Sequence, residues 1–434
     1  MNFIRLLPVS IASILMAAHF ARADALGAAF AALALPFLLL ARGRWAVHAV
    51  RVFLAGGSLL WLSTMFLLVD DRQRLGEPWI RTALILGGAA LFTAVSGLVF
   101  RGRALRNRYP KTAADGPKTA AFFLTFALLS MVQWKAPLRM LLIDRILPDF
   151  GWLEILFLSA YAAWMAGNLL DRGSTGRWRF RLWTLFSAVF FGQLLLGLAG
   201  LDEMLMTGTL HLPIPAMIVA GPLFRAGRFF MPILFLAAVA VVGPAWCSHL
   251  CYVGAWDAAA ARLLKRPLPL PSWVRFSRPA SLVMVAAAAL LLRAAGASMG
   301  LAIGLGLAFG VAGILIMFLV SSKRGAMPHC IAYCPIGFLS TALGRISPFR
   351  LRINSGCTDC QACRTVCRYD ALRPEDIKRR RPALTCTLCG DCLAACHGRF
   401  IEYKFLGLSP DAARALFIVL VVSLHALFLG VARI

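Results

Sequence analysis

The chain has 434 residues, of which 60% are hydrophobic and only 15% are charged. This composition excludes an ordinary soluble domain, which would have to expose too much apolar surface, and favours a membrane protein. The net charge of +26 would suggest nucleic-acid binding in a soluble protein. Because the Lys and Arg residues lie in short loops between apolar runs, we instead expect membrane lipid and no nucleic acid as a partner.

Eleven apolar runs are long enough to cross a bilayer and predict an all-α polytopic membrane bundle. They are residues 3–21, 25–41, 48–69, 80–100, 119–134, 152–170, 182–200, 229–246, 280–298, 300–320 and 411–431. The first run is followed by Ala21, Arg22 and Ala23, which resemble a signal-peptide cleavage site. We expect a retained helix.

The second, fourth, sixth and eighth loops each carry a basic cluster. These clusters are Arg42, Arg44 and Arg51; Arg101, Arg103, Arg106, Arg108, Lys111 and Lys118; Arg172, Arg177, Arg179 and Arg181; and Arg262, Lys265, Arg266, Arg275 and Arg278. The positive-inside rule therefore predicts a multi-pass protein of the bacterial inner membrane with a cytoplasmic N-terminus. All twelve cysteines, between residues 247 and 396, then lie in the reducing cytoplasm.

The motifs and runs predict four regions. Residues 1–118 form a four-helix membrane region, and 119–320 form a membrane core with a first C-x3-C motif. Residues 321–410 are a cytoplasmic segment with a second C-x3-C motif and a ferredoxin-like insert. Residues 411–434 form the last transmembrane helix.

The densest motif consists of two consecutive C-x2-C-x2-C-x3-C runs, CTDCQACRTVC and CTLCGDCLAAC. In bacterial ferredoxins the fourth cysteine of each run ligates the other [4Fe-4S] cluster. Cluster 1 is therefore expected on Cys357, Cys360, Cys363 and Cys396, and cluster 2 on Cys386, Cys389, Cys392 and Cys367. Arg368 and His397 replace the usual following proline. A pair of structural zinc sites is the alternative.

The other four cysteines form an internal repeat. PAWCSHLCYVGAWDAAAARL from residue 244 parallels MPHCIAYCPIGFLSTALGRI from residue 327, and each copy has glycine three residues after its second cysteine. Two parallel copies would bring Cys247, Cys251, Cys330 and Cys334 together as a shared third metal or Fe–S site. The alternative is two pairs of inert buried thiols. His249 and His329 could be ligands, but we expect them to be polar packing residues.

Two C-x3-C motifs at membrane exits, followed by a double ferredoxin motif, resemble the NapH-type and NosR-type membrane iron–sulfur proteins over residues of about 182–400. HCIAYCPIG fits that pattern, whereas WCSHLCYVG has Tyr252 where proline is usual. Those proteins accompany periplasmic nitrate and nitrous oxide reductases, so the resemblance implies quinol oxidation that feeds a periplasmic reductase. No flavin motif of the NosR type is found, so a flavin would come from a partner subunit.

Two further segments suggest partners. Residues 201–230 form an apolar loop with Asp202, Glu203 and His211, which suits either a quinone pocket or an element lying on the bilayer. The run Lys378 to Arg381 suits an acidic cytoplasmic electron carrier or anionic lipid.

The expected function is the relay of electrons between a quinol pool or a cytoplasmic donor and a redox partner, as the electron-transfer subunit of an oxidoreductase. Two alternatives remain open. One is an electron donor for metalloenzyme maturation or metal reduction, and the other is a redox-sensing membrane regulator.

Overall fold

A computed structural model describes residues 2–136, 138–205 and 212–431. The chain divides into two compact units, Met1–Gly167 and Asn168–Ile434. His211, one of the three polar groups expected in the 201–230 loop, lies outside the described residues.

Helices account for almost all regular structure in the first unit. They are α1 Asn2–Arg22, α2 Leu26–Ala34, α3 Arg44–Arg74, α4 Ile80–Ser96, α5 Arg103–Arg108, α6 Asp115–Lys135, α7 Leu142–Ile146 and α8 Gly151–Leu170.

The second unit adds eleven α-helices and two strands in its described part. They are α9 Thr175–Leu198, α10 Met217–Arg225, α11 Phe230–Val242, α12 Gly254–Ala261, α13 Val274–Ala294, α14 Met299–Ile316, α15 Ser322–Arg324, α16 Pro335–Leu343, β1 Arg350–Ile353, α17 Pro374–Lys378, α18 Asp391–Ala395, β2 Ile401–Lys404 and α19 Pro410–Val431.

Within the described residues, nine helices are long and apolar enough to cross a membrane. They are Ile4–Arg22, Arg44–Arg74, Ile80–Arg101, Gly151–Leu170, Thr175–Leu198, Phe230–Leu250, Phe276–Ala294, Met299–Arg324 and Pro410–Val431. Each matches one predicted run. The predicted run 25–41 is the shorter apolar helix Leu26–Ala41, whose second part is the 3₁₀ segment Leu35–Ala41 with Pro36 in its first turn. The run 119–134 lies in α6, which is not among the nine.

The first unit has its own apolar core, to which α1, α3, α6 and α8 contribute. Trp45 and Phe122 are buried there, with their ring centroids 5.6 Å apart. Leu156 and Ala163 of α8 belong to the same core. Because α6 and α8 bury apolar side chains in this way, the unit extends to residue 167, beyond the predicted region boundary at 118.

The cysteine-rich insert of the second unit is held by a small sheet. β1 and β2 pair antiparallel, with Arg350 opposite Lys404 and Ile353 opposite Ile401. The Tyr403 ring packs 4.8 Å from that of Phe417 on α19, between centroids. Its hydroxyl donates a hydrogen bond to the carbonyl of Leu388 at 2.7 Å. One residue of the sheet therefore fixes both a membrane helix and a cysteine-bearing loop.

Candidate iron–sulfur sites

The two ferredoxin-type cysteine runs have the same unusual backbone. In each run, three residues have a left-handed backbone conformation, with positive φ. Two of them flank the second cysteine, and one is the third residue after the fourth cysteine. The pairs are Asp359 (φ 56°) with Leu388 (55°), Gln361 (58°) with Gly390 (78°), and Asp370 (47°) with Arg399 (54°). When right- and left-handed backbone conformations alternate, successive N–H groups point to one side and form a concave site. Such sites bind anions, including Fe–S clusters.

The fourth cysteine of each run accepts an equivalent hydrogen bond. The N–H of Ala371 donates to the Cys367 sulfur, and the N–H of Phe400 donates to the Cys396 sulfur, both at 3.3 Å. Hydrogen bonds of this kind favour a charged sulfur over a neutral thiol. The donors lie four residues beyond each cysteine, so replacement of the usual proline leaves them in place.

The cluster 1 cysteines lie close enough to influence one another. Burial raises the pKa of the Cys363 thiol to about 11, and three other thiols act on it in the same direction. They are Cys396, Cys357 and Cys360. Cys396 belongs to the second run, so the structure places the fourth cysteine of one run beside the first three of the other.

The cluster 2 cysteines are grouped in the same crossed manner. Burial raises the pKa of Cys392 well above its usual range, and four thiols contribute. They are Cys389, Cys367, Cys386 and Cys363. The first three are its expected partners, and Cys363 belongs to cluster 1. Ligation by these groups remains a prediction.

Among the described residues, no three His, Cys, Asp or Glu side chains are close enough to hold one metal ion. A tetrahedral zinc site needs all its sulfurs about 2.3 Å from a single ion. A [4Fe-4S] cluster has no such requirement, because its four thiolates bind different irons.

The two C-x3-C motifs also fold alike. In each, the first cysteine lies in a π-helical turn, Trp246–Leu250 or His329–Tyr333. The second cysteine follows that turn in an extended conformation, and a short helix comes next. The sulfur of Cys251 accepts hydrogen bonds from the N–H groups two and three residues later. Cys334 does the same, so the sequence repeat is also a structural repeat.

All four C-x3-C cysteines lie near one another. Burial raises the pKa of the Cys330 thiol well above its usual range, and four nearby groups contribute. They are Asp257, Cys251, Cys334 and Cys247. The structure therefore brings together the four cysteines that the ferredoxin runs leave over.

A buried guanidinium faces this group of thiols. Arg278 is 4% exposed and interacts electrostatically with Cys247, Cys334 and Cys330. Its Nε atom has no hydrogen-bond partner among the described residues. A buried, unpaired charge is costly, and an anionic cluster bound by thiolates would compensate it. These residues therefore fit an Fe–S centre.

A buried carboxylate contacts the same group. Asp257 is fully buried and accepts hydrogen bonds from the Ser321 hydroxyl at 2.5 Å and the N–H of Cys330 at 3.0 Å. Burial raises its pKa to about 6. Sequence reasoning missed Asp257, whose signal was a single acid in an Ala-rich helix, and it read Arg278 only as a loop charge.

The two histidines near these cysteines pack against protein groups. The Nδ1 atom of His249 lies 3.3 Å from the Ala245 carbonyl and 3.0 Å from the Ser248 hydroxyl. His329 lies against Tyr333, with ring centroids 5.6 Å apart, and burial lowers its pKa to about 4. These contacts fit polar packing residues.

A large apolar cavity lies in the membrane part of the second unit, with a volume of about 1340 Å³. Residues of α9, α10, α13 and α14 line it. Its polar lining residues in the described part of the chain are Tyr252, Arg225 and Arg228; Asp202 and Glu203 are not among them. The Tyr252 ring stacks on Phe190, with centroids 4.0 Å apart.

Comparison with known families identifies the C-x3-C repeat. A family model described as a 4Fe-4S binding domain matches residues 223–271 and 303–354, less than half of the chain. Each segment contains one C-x3-C motif, whereas the ferredoxin-type runs lie outside both. No curated protein and no solved structure matches the chain. Together, the match and the apolar helices fit a membrane iron–sulfur protein, and the 4Fe-4S binding domain supports a role in electron transfer.

Proposed function

We propose that this protein takes electrons from a quinol in the membrane and passes them through [4Fe-4S] clusters to a redox partner. The observation that supports quinol as the electron donor is the apolar cavity of about 1340 Å³. Apolar walls with a few hydrogen-bond donors suit a molecule with an isoprenoid tail and two ring oxygens. Tyr252, which lines the cavity, directly follows Cys251, so a ring bound there would lie beside the C-x3-C cysteines.

The residues of the cavity supply binding and orientation. Burial raises the pKa of the Tyr252 hydroxyl, which therefore keeps its proton and can donate to a ring oxygen. The exposed side chains of Arg225 and Arg228 offer further donors. When bound, the clusters would accept one electron at a time. Oxidation of one quinol gives a quinone, two electrons for the clusters and two protons that leave to water.

Orientation forms part of the proposal. Counting either the eleven predicted runs or the nine long apolar helices puts residues 251–275 and 325–409 on the side of the N-terminus. In the count of eleven runs all four basic clusters lie on that side, and in the count of nine helices those at 172–181 and 262–278 do, which favours the cytoplasm for it. The resemblance to NapH-type and NosR-type proteins supports a periplasmic reductase or a flavin subunit as partner, and the basic run Lys378 to Arg381 supports an acidic cytoplasmic carrier.

The test uses the full chain in proteoliposomes with a short-tailed quinol. Ala288 of α13 lines the cavity, whereas the neighbouring Ala287 does not, and both are exposed. Quinol should bleach the Fe–S absorbance of the wild type and of Ala287→Trp equally. Ala288→Trp should slow bleaching about tenfold, equivalent to about 1.4 kcal/mol of lost binding.

Two outcomes would count against the proposal. If dithionite bleaches the clusters but quinol does not, quinol is not the donor. If both tryptophan variants behave as the wild type, this cavity is not its site. Sustained quinol oxidation with an added electron acceptor separates a relay from a sensor, because a sensor would bleach without turnover.

A further inference from the structure

The two C-x3-C loops and the cluster 2 loops are joined by hydrogen bonds. Ser248, between Cys247 and Cys251, donates from its hydroxyl to the carbonyl of Thr387 at 3.0 Å. Thr387 directly follows Cys386. Cys247 is therefore connected to Cys386 of cluster 2 through its neighbour Ser248, one hydrogen bond, and Thr387, the neighbour of Cys386.

A buried arginine makes a second connection between the same loops. Arg179 of α9 donates from Nη1 to the Ser248 carbonyl at 3.0 Å. Its Nε and Nη2 atoms donate to the Asp391 carboxylate at 2.9 and 2.6 Å. Asp391 lies between Cys389 and Cys392, so the same guanidinium contacts both loops.

The second C-x3-C copy is also tied to cluster 2. The N–H of Met327, three residues before Cys330, donates to the carbonyl of Arg368 at 3.0 Å. Arg368 follows Cys367, and its guanidinium donates to the carbonyls of Ala261 and Gly325, both at 2.6 Å. The residue that replaces the usual ferredoxin proline thus anchors the fourth cluster 2 cysteine to the membrane side.

Tyr369 lies between the two sets of cysteines. It is 4% exposed and shares one buried apolar core with Met327 and Ile331, against which Cys330, Cys367, Cys386 and Cys389 pack. Its ring hydroxyl has no hydrogen-bond partner among the described residues. It interacts electrostatically with Cys330 of the C-x3-C set and with Cys389 of the cluster 2 set.

Cluster 1 contains the most accessible of the expected ligands. Of the twelve cysteines, all of which the structure describes, Cys360 alone is exposed, whereas Cys363 is buried and Cys357 and Cys396 are partly buried. Cys363 is the cluster 1 member that acts on Cys392 of cluster 2. Electron transfer through protein slows steeply with distance, so the nearest neighbours determine the route.

From these contacts we infer a fixed order of three centres: a centre held by the C-x3-C cysteines would exchange electrons with one held by the cluster 2 cysteines, and that one with a centre held by the cluster 1 cysteines. Each step would move one electron from a reduced centre to an oxidised neighbour. Cluster 1 is then the surface terminal that meets a soluble partner, and Tyr369 is a positioning residue between the other two centres. This order rests on the proposed electron-relay function, but it does not depend on quinol as donor.

Magnetic coupling between reduced clusters tests the order without turnover. The purified full chain is reduced with dithionite and examined by electron paramagnetic resonance. The C-x3-C centre should show splitting or relaxation enhancement in the wild type. That effect should persist in Cys360→Ser, which impairs cluster 1, and disappear in Cys389→Ser, which impairs cluster 2. Coupling lost with cluster 1 but retained without cluster 2 would overturn the order, as would the absence of a centre at the C-x3-C cysteines.

A milder pair of variants keeps the test decisive if Cys389→Ser does not fold. Tyr369→Phe removes the hydroxyl between the two centres and should shift the midpoint potentials of both. Tyr403→Phe is the matched control, because the Tyr403 hydroxyl donates to Leu388 beside Cys389. Tyr403→Phe should shift the midpoint potential of cluster 2 and leave that of the C-x3-C centre unchanged. Equal effects of both variants on the C-x3-C centre would contradict the inference, whereas failed quinol bleaching with intact coupling would refute only the quinol proposal.

Discussion

Arg179 and Asp391 form a two-pronged ion pair, with donor–acceptor distances of 2.9 and 2.6 Å. Their side chains are 2% and 16% exposed, so solvent screens the pair little. One partner belongs to a membrane helix, and the other is the first residue of α18, which carries Cys392. The ion pair thereby holds the cluster 2 loop against the membrane part of the second unit.

Replacing Arg179 by Ala should destabilise this attachment by up to about 3 kcal/mol, because it leaves a carboxylate that is only 16% exposed without its partner. Arg179→Lys should recover only part of the lost stability, since lysine cannot make the two-pronged contact. Thermal unfolding followed by loss of the Fe–S absorbance measures the effect. The control is Arg172→Ala, whose partner Asp411 is 89% exposed, so its loss should cost about 1 kcal/mol or less. Equal effects of the two alanine variants would contradict this role for Arg179.

The cysteine pattern was predictable because the cysteines are close together in the sequence. Three cysteines separated by two residues each must share one tight loop, and the second run repeats the first. The C-x3-C repeat was visible for the same reason. By contrast, the surroundings of these cysteines depend on contacts across long separations. Ser248 meets Thr387, 139 residues away, and no local pattern indicates that pairing.

Charged residues show most clearly what the sequence alone could not predict. Arg278 belongs to the basic cluster of the eighth predicted loop, so its sequence context indicated only membrane topology. In the structure it is buried beside three cysteines, which only the packing of α13 against the repeat could reveal. Hydropathy likewise gave no sign that the second part of the predicted run 25–41 forms the 3₁₀ segment Leu35–Ala41.

The chemical identity of the C-x3-C centre can be tested by removing one ligand. Cys251→Ala should lower the iron and acid-labile sulfide content per chain, while the spectra of clusters 1 and 2 persist. Val253→Ala is the control, because it shortens a buried side chain two residues away without removing a sulfur. Unchanged iron in Cys251→Ala would favour the alternative of inert buried thiols, and zinc in place of iron would mean that the four cysteines hold a metal ion and not an Fe–S centre.

The charge of Arg278 should raise the reduction potential of the C-x3-C centre, because a nearby cation stabilises the added electron. Arg278→Met removes that charge at similar length and should lower the midpoint potential. We expect a shift on the order of 100 mV, since a unit charge about 8 Å away is worth about 2 kcal/mol at an effective dielectric constant of about 20 and about 59 mV corresponds to a tenfold change for one electron. A redox titration followed by electron paramagnetic resonance measures it.

Two further variants separate charge from packing at this site. Arg278→Lys should retain most of the wild-type potential. Asp257→Asn removes the opposite charge beside Cys330 and should raise the potential instead. The same direction of shift in Arg278→Met and Asp257→Asn would mean that structural damage, and not electrostatics, controls the centre.

Gly337 leaves no room for a side chain at the C-x3-C centre. A Cβ atom there would lie 2.6 Å from the Cys330 carbonyl oxygen and 2.9 Å from a guanidinium nitrogen of Arg278. Overpacking of this kind costs about 1–3 kcal/mol, and here the strain falls on a ligand loop and on its counter-charge. Gly337→Ala should therefore lose iron from the C-x3-C centre. Gly304→Ala is the matched control, because that helical glycine has open space around it and alanine is the better helix former. If both variants keep a full complement of iron, close packing at Gly337 is not required for the centre.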